Sequence, residues 1–233
     1  MSEKQAPGVQ DYSALAGDYD RTRYVGDANT VKENFRVETL RSLLPERVGR
    51  ALDVACGTGR GVLLLRDIAP VVFGLDGTAE MLAAAAAKLG DARRRVCLTR
   101  GNAAALPFAD ATFDAVISLN FVHLFGLPAK QTFVREMARV TRPGGVVIVE
   151  FDNALQGLVL GGIRKYFGKD IGYDWPWQVR ASFPRDLVTI EAVAGSNLPG
   201  VWRVRSFHFA ERMAQSFPVN YLASRVFVRA RRY

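Results

Sequence analysis

The sequence predicts an α/β fold built on a doubly wound, mostly parallel sheet. Three observations carry that expectation. Short apolar runs alternate with helical patterns over brief connections, as in βαβ units. The runs are apolar at nearly every position, as expected for strands covered on both faces. A glycine-rich turn at residues 57–61 joins the first run to the helix after it.

The elements follow in order. Residues 27–44 place Val31, Phe35, Val37, Leu40 and Leu44 at helical spacings, and Pro45 closes the helix. Arg50 to Cys56 is an apolar run ending in glycines, followed by a helix from Gly59 to Ile68 that Pro70 stops. Val71 to Asp76 repeats the form, ending on a carboxylate. Thr78 is placed to cap an alanine-rich helix running to about Leu89. Strands are expected at Val96–Thr99, Phe113–Leu119 and Gly145–Phe151, with a helix over Gln131–Val140 and a turn at Arg142–Gly145. Beyond residue 152 the pattern weakens. Leu187–Val193 and Arg225–Ala230 read as strands and His208–Ser216 as a helix. With no internal repeat and no low-complexity linker, one domain is expected over residues 1–233.

Composition narrows the function classes. Of the 233 residues 49% are hydrophobic and 23% charged, which excludes a disordered tail, a collagen-like repeat and a disulfide scaffold. No apolar run approaches the roughly 20 residues of a membrane span. The polar N-terminus shows no secretory signal, so a cytoplasmic location is expected. Cys56 and Cys97 cannot supply a four-ligand zinc site, and no metal is expected. The net charge of +8 is uneven: residues 1–150 carry 19 basic and 17 acidic side chains, residues 151–233 carry 12 and 6. That excess suits an acidic partner or, more simply, a solvated surface. Arg93 to Arg95 reads as a solvated loop.

The chemistry concentrates in DVACGTGRG, residues 53–61. Glycines let the backbone turn sharply and approach a ligand, and the free amides of the next helix favour a negative group. The spacing Gly-x-Gly-x-Gly is not that of dinucleotide binders, and no Gly-Lys-Ser/Thr follows as in a P-loop. Asp53, inside the strand, is costly to bury without a partner. Asp76, at the end of the second strand, sits where a carboxylate accepts from both ribose hydroxyls.

To these add GLD at 74–76, GNAAALPF at 101–108, FDAVIS at 113–118, His123, and the segment Glu136 to Gly145. In order and spacing, over about residues 50–151, the set resembles the class I S-adenosylmethionine-dependent methyltransferases. The resemblance is to the branch holding ubiquinone/menaquinone-biosynthesis and other small-molecule enzymes. It implies a seven-stranded sheet with an antiparallel last strand and helices on both faces. It also implies an N-terminal helical lid (1–46), a cofactor-binding half (47–152) and a substrate-side half (153–233). The cofactor would be S-adenosylmethionine, leaving as S-adenosylhomocysteine. Ala55, Cys56, Gly57 and Gly59 would hold its methionine part with Asp53 near the ammonium. Asp76 and Gly77 would take the ribose and Met81 would pack near the adenine. Where the family has Asp-Ala in the third loop, this chain has Asn102-Ala103, whose amide oxygen can still accept from the adenine amino group but without charge. Ser118 and Leu119 would line the cofactor, and Tyr19 to Tyr24 (YDRTRY) resembles the lid over the methionine end.

The implied activity is methyl transfer to an oxygen, nitrogen or carbon of a small acceptor, aromatic or acidic, achieved mainly by in-line positioning. His123 is either a general base or a pocket-lining residue, and His208 a surface or packing residue. Tyr166, Phe167, Tyr173, Trp175 and Trp177 either wall an acceptor pocket or form ordinary core. Cys56 has no base near it in the motif and is not read as a nucleophile. The alternatives are an RNA or protein methyltransferase using the basic last third, and a non-catalytic cofactor-binding partner subunit. Nucleic acid is disfavoured, because SLNF at 118–121 replaces the Asn/Asp-Pro-Pro-Tyr/Phe of base-nitrogen methylation. No membrane partner is expected, and monomer and homodimer both stay open.

Overall fold

The computed structural model describes residues 27–154, 174–197 and 223–233. Seven strands form one sheet: β1 (Arg50–Val54), β2 (Val71–Asp76), β3 (Val96–Arg100), β4 (Phe113–Ser118), β5 (Thr141–Asp152), β6 (Val188–Ser196) and β7 (Arg225–Arg232). Their spatial order is β3-β2-β1-β4-β5-β7-β6. The first five run parallel, and β7 inserts antiparallel between β5 and β6. The order reverses between β1 and β4, opening a crevice at their carboxyl ends where such sheets bind ligands.

Helices cover both faces. On one lie α1 (Asp27–Leu43), α2 (Arg60–Leu65) and α3 (Ala79–Leu89), closing a core that includes Leu40, Val62, Leu65, Leu89, Ile148 and Phe227. On the other, α4 (Leu127–Val140) and the short α5 (Pro176–Ala181) close a second core that includes Phe113, Phe133, Met137, Val149 and Phe151. Leu52, Val116, Ile117 and Ile148 are fully buried, and truncating such a leucine or isoleucine to alanine costs about 2–5 kcal/mol.

Several boundaries depart from the sequence reading. The first strand stops at Val54, because Ala55 turns left-handed at φ 60°. The helix after it ends at Leu65 rather than Ile68. Thr78 stands at the N-cap of α3 but makes no side-chain cap; its hydroxyl turns to the Asp76 carboxylate. α4 begins at Leu127, four residues earlier than expected, with Pro128 preorganising the first turn. β5 begins at Thr141 and absorbs the expected Arg142–Gly145 turn as a register irregularity, with Gly144 at φ 76°. Residues 90–95 form a 3-10 helix rather than a loop. Val31, expected on the apolar face of α1, is exposed. Trp175 and Trp177 stack at 5.0 Å with Trp177 63% exposed, so this pair is neither core nor a wall of the site below. The expected helix at 208–216 and the aromatics Tyr166, Phe167 and Tyr173 lie outside the described residues.

Candidate functional site

A cavity of about 640 Å³ opens at the carboxyl ends of β1, β2 and β4. Its floor is the glycine turn. β1 hands over to α2 through Ala55 (φ 60°), Gly57 (φ 51°) and Gly59 (φ 83°), three left-handed residues in five. A bond from the Gly59 amide to the Cys56 carbonyl (2.9 Å) closes the turn. At Gly59 a side chain would also crowd Ala85, at 3.2 Å. Gly61 is needed for a different reason: a Cβ there would sit 2.3 Å from the Asp53 carboxylate.

Two carboxylates face this floor in different states. Asp76 lies across the turn; its Oδ2 accepts from the Gly57 amide (2.8 Å) and its Oδ1 from the Thr78 amide (2.9 Å). Burial still raises its pKa, opposed by those hydrogen bonds. Asp53 is 2% exposed, and its Oδ1 has no hydrogen-bond partner among the described residues. Burial, with help from Asp76, pushes its pKa up to about 8, against the pull of Arg36 and of the Val62 amide. Burial and the same two carboxylates raise the Cys56 thiol, which makes it a poor nucleophile.

The structure brings most of the expected residues to this cavity. Asp53, Ala55, Cys56 and Gly57 line one side, and Asp76, Gly77 and Met81 another. Ala103 and Leu119 close it. Four others stand behind the wall. Gly59 is the N-cap of α2. Ser118 does not line the cavity; it is buried and donates from Oγ to the Val54 carbonyl (3.0 Å), tying β4 to β1. Asn102 spends its Oδ1 on the Ala104 amide (2.8 Å), shaping the loop whose neighbours Gly101 and Ala103 reach the cavity. His123 sits half-buried in the 3-10 turn Val122–Leu124, off the wall. Tyr19 and Tyr24 lie outside the described residues.

Reading by motif missed a second group. On α1, Arg36 donates from Nε and Nη2 to both oxygens of Glu150 on β5 (2.6 and 2.7 Å). Glu33 bridges Arg36 (2.9 Å) and Arg60 (3.0 Å). Glu150 also accepts from the Asn120 amide (3.0 Å). Burial raises the Glu150 carboxyl, yet the Arg36 charge and hydrogen bonds, with Arg225 and that amide, outweigh it and hold the pKa at about 2. Glu33, Arg36, Arg60 and Asn120 line the cavity. One signal was available: Glu150 is an acid inside the apolar run Val146–Phe151, which requires a buried partner. A further link explains two distant motif pieces. Glu136 and Arg139 on α4 fasten the 101–110 loop: Glu136 accepts from the Leu106 amide (2.8 Å), and Arg139 donates to the Leu106 and Phe108 carbonyls (3.0 and 2.9 Å).

The methyltransferase domain family matches residues 52–149 of the chain. A demethylmenaquinone methyltransferase from Halalkalibacterium halodurans is 40% identical over 118 residues, covering 49% of this chain and 47% of that protein. The chain thus spans about half the length of the curated relatives it first matches. One from Mycolicibacterium paratuberculosis is 30% identical over 207 residues, 82% of this chain and 86% of that protein. Among solved structures, the magnesium protoporphyrin IX methyltransferase of Synechocystis, with S-adenosylhomocysteine bound, superposes at TM-score 0.67. That pair is 15% identical and aligned over 95% of this chain and 96% of the other, a likeness of fold.

Proposed function

The chain belongs to the S-adenosylmethionine-dependent methyltransferase family, and from that premise we propose that it moves a methyl group from S-adenosylmethionine to a small aromatic acceptor of the hydroquinone class. The observation that carries the proposal is the pairing of Asp53 and Asp76 across the glycine turn. Asp53 offers an unpartnered buried oxygen to a cation. Asp76 lines the same cavity, and the Gly57 and Thr78 amides with the Thr78 hydroxyl orient its oxygens there, where a ligand diol can share them or take the hydroxyl's place. A ligand carrying an ammonium at one end and a ribose diol at the other answers both demands. The cavity volume falls within the range of small-ligand sites.

In this reading Asp53 binds the amino-acid ammonium and Asp76 the ribose hydroxyls, while Met81 and Ala103 pack beside the base. S-adenosylmethionine supplies, when bound, a methyl on a sulfonium that departs as a neutral thioether. The protein's task is then to exclude water and hold the acceptor in line. Leu119, Asn120, Phe121 and Leu124 form the wall nearest β4 and would face the acceptor. His123, one layer back, would shape that wall rather than take a proton directly.

The acceptor class rests on the relatives' name, demethylmenaquinone methyltransferase, and on chemistry. A quinone ring is electron-poor, whereas its reduced hydroquinone has nucleophilic ring carbons and hydroxyls. A small acceptor is favoured over RNA because the arginines of β7 already have partners within the chain. Arg225 pairs with Asp152, Arg229 and Arg231 with Glu191, and Arg232 donates to the Arg139 and Thr141 carbonyls. The test is transfer of labelled methyl from S-adenosylmethionine to a dithionite-reduced short-chain demethylmenaquinone, with bulk RNA as comparator. Label in the quinol supports the reading. Label in RNA alone overturns it.

A further inference from the structure

We propose that Asn120 is the residue that orients the acceptor, and that the Arg36–Glu150 ion pair exists to hold it there; this rests on the methyl-transfer reading above. Asn120 follows β4 and lines the cavity with a left-handed backbone, φ 53°. Non-glycine residues enter that region at a cost, so the surroundings must hold it. The hold is visible. The Asn120 amide donates to Glu150 Oε2, and Arg36 clamps both oxygens of the same carboxylate. The backbone is therefore fixed from behind by a buried, hydrogen-bonded ion pair whose Glu150 side chain is 1% exposed.

The Asn120 carboxamide has no hydrogen-bond partner among the described residues. Its wall neighbours Leu119, Phe121 and Leu124 are apolar. A carboxamide beside these apolar residues supplies both a donor and an acceptor group to whatever packs there, the pattern by which largely apolar pockets fix orientation. The matching ligand is a flat ring bearing a hydroxyl or carbonyl at its edge. With that oxygen bound to the carboxamide, the ring has one rotational setting instead of several, and a single ring atom is held toward the cofactor's methyl. Asparagine also tolerates left-handed backbone better than most residues. The sterically safer choice, glycine, would leave the wall without a polar group.

Asn120→Gly separates these two roles, because glycine keeps the backbone conformation and deletes only the carboxamide. Ala111→Gly serves as control, since Ala111 is exposed, off the cavity and also left-handed at φ 54°. Each protein is titrated with S-adenosylhomocysteine and then assayed with reduced short-chain demethylmenaquinone. The expected result is unchanged S-adenosylhomocysteine affinity in both variants. In Asn120→Gly alone, kcat/KM for the quinol falls about tenfold, the value of one hydrogen bond to a neutral group. An unchanged kcat/KM in Asn120→Gly overturns the proposal and leaves asparagine as a backbone choice. Wild-type protein that binds S-adenosylhomocysteine but does not turn over the quinol overturns the acceptor class, while the methyl-transfer reading survives. Wild-type protein that does not bind S-adenosylhomocysteine removes that reading itself.

Discussion

At Asp53 two demands compete. The strand needs every inward side chain buried, and a carboxylate resists burial without a partner. Burial, with the nearby Asp76, resolves this in favour of the proton and pushes the pKa up to about 8 from 3.8. The sign follows. The cost of ionising Asp53 is absent below 3.8, grows as pH rises, and is complete above about 8. A cationic ligand reverses the preference by stabilising the carboxylate, so binding below pH 8 releases a proton. S-adenosylhomocysteine affinity should therefore climb between pH 6 and 7.5, by up to about tenfold per unit. Calorimetry in buffers of different ionisation enthalpy should register the released proton. Asp53→Asn should bind more weakly and lose this slope. A flat profile in the wild type would mean that the ligand's ammonium does not sit at Asp53.

Among the elements, α1 shows how a helix can be placed by charge as much as by apolar contact. Phe35, Leu40 and Leu43 are buried, and so are Arg36 and Thr39 on the same inward stripe. Thr39 satisfies itself on the Phe35 carbonyl (2.8 Å), and Arg36 reaches across to β5. Removing one partner of such a buried pair strands the other, at about 3–5 kcal/mol. Glu150→Ala should lower the unfolding free energy by about that much in a urea titration, and a loss under about 1 kcal/mol would show the pair to be dispensable. Because the Glu150 carboxyl is held at about 2, its contribution is fully present above 4.5 and is lost as pH falls toward 2. The wild-type advantage over Glu150→Ala should shrink across that acid window.

At the scale of the whole molecule, the fold was largely legible because a parallel sheet writes itself as uninterrupted apolar runs, and β1 to β5 all fell where those runs lie. The boundaries slipped where local geometry broke the pattern: the left-handed turn at Ala55, the irregular start of β5 at Thr141, and α4 beginning at a proline turn. The site was legible to the extent that it is made of contiguous motif. Asp53, Gly57 and Asp76 meet at one cavity because consecutive strand ends of a doubly wound sheet meet there. Glu150 signalled a missing partner, but its partnership with Glu33, Arg36 and Asn120 was not legible, since it spans up to 114 residues and only the fold brings them together. The partners of the charges were hidden in a similar way. The surplus of the last third suited an acidic partner or, more simply, a solvated surface, and within it the β7 arginines pin the antiparallel edge of the sheet to Glu191, Asp152 and backbone carbonyls.

The central proposal is one paired site, in which Asp53 and Asp76 would grip opposite ends of a single ligand across the glycine turn. The measurement that tests it most directly is calorimetric titration of the protein with S-adenosylhomocysteine, beside the Asp76→Ala variant and with NAD as control ligand. The expected result is one-to-one binding by the wild-type protein, at least tenfold weaker binding in Asp76→Ala protein that is still folded at the assay temperature, and none for NAD. Absence of wild-type binding at ligand concentrations near 1 mM, which would still register about −4 kcal/mol, or equal binding by Asp76→Ala, would contradict it.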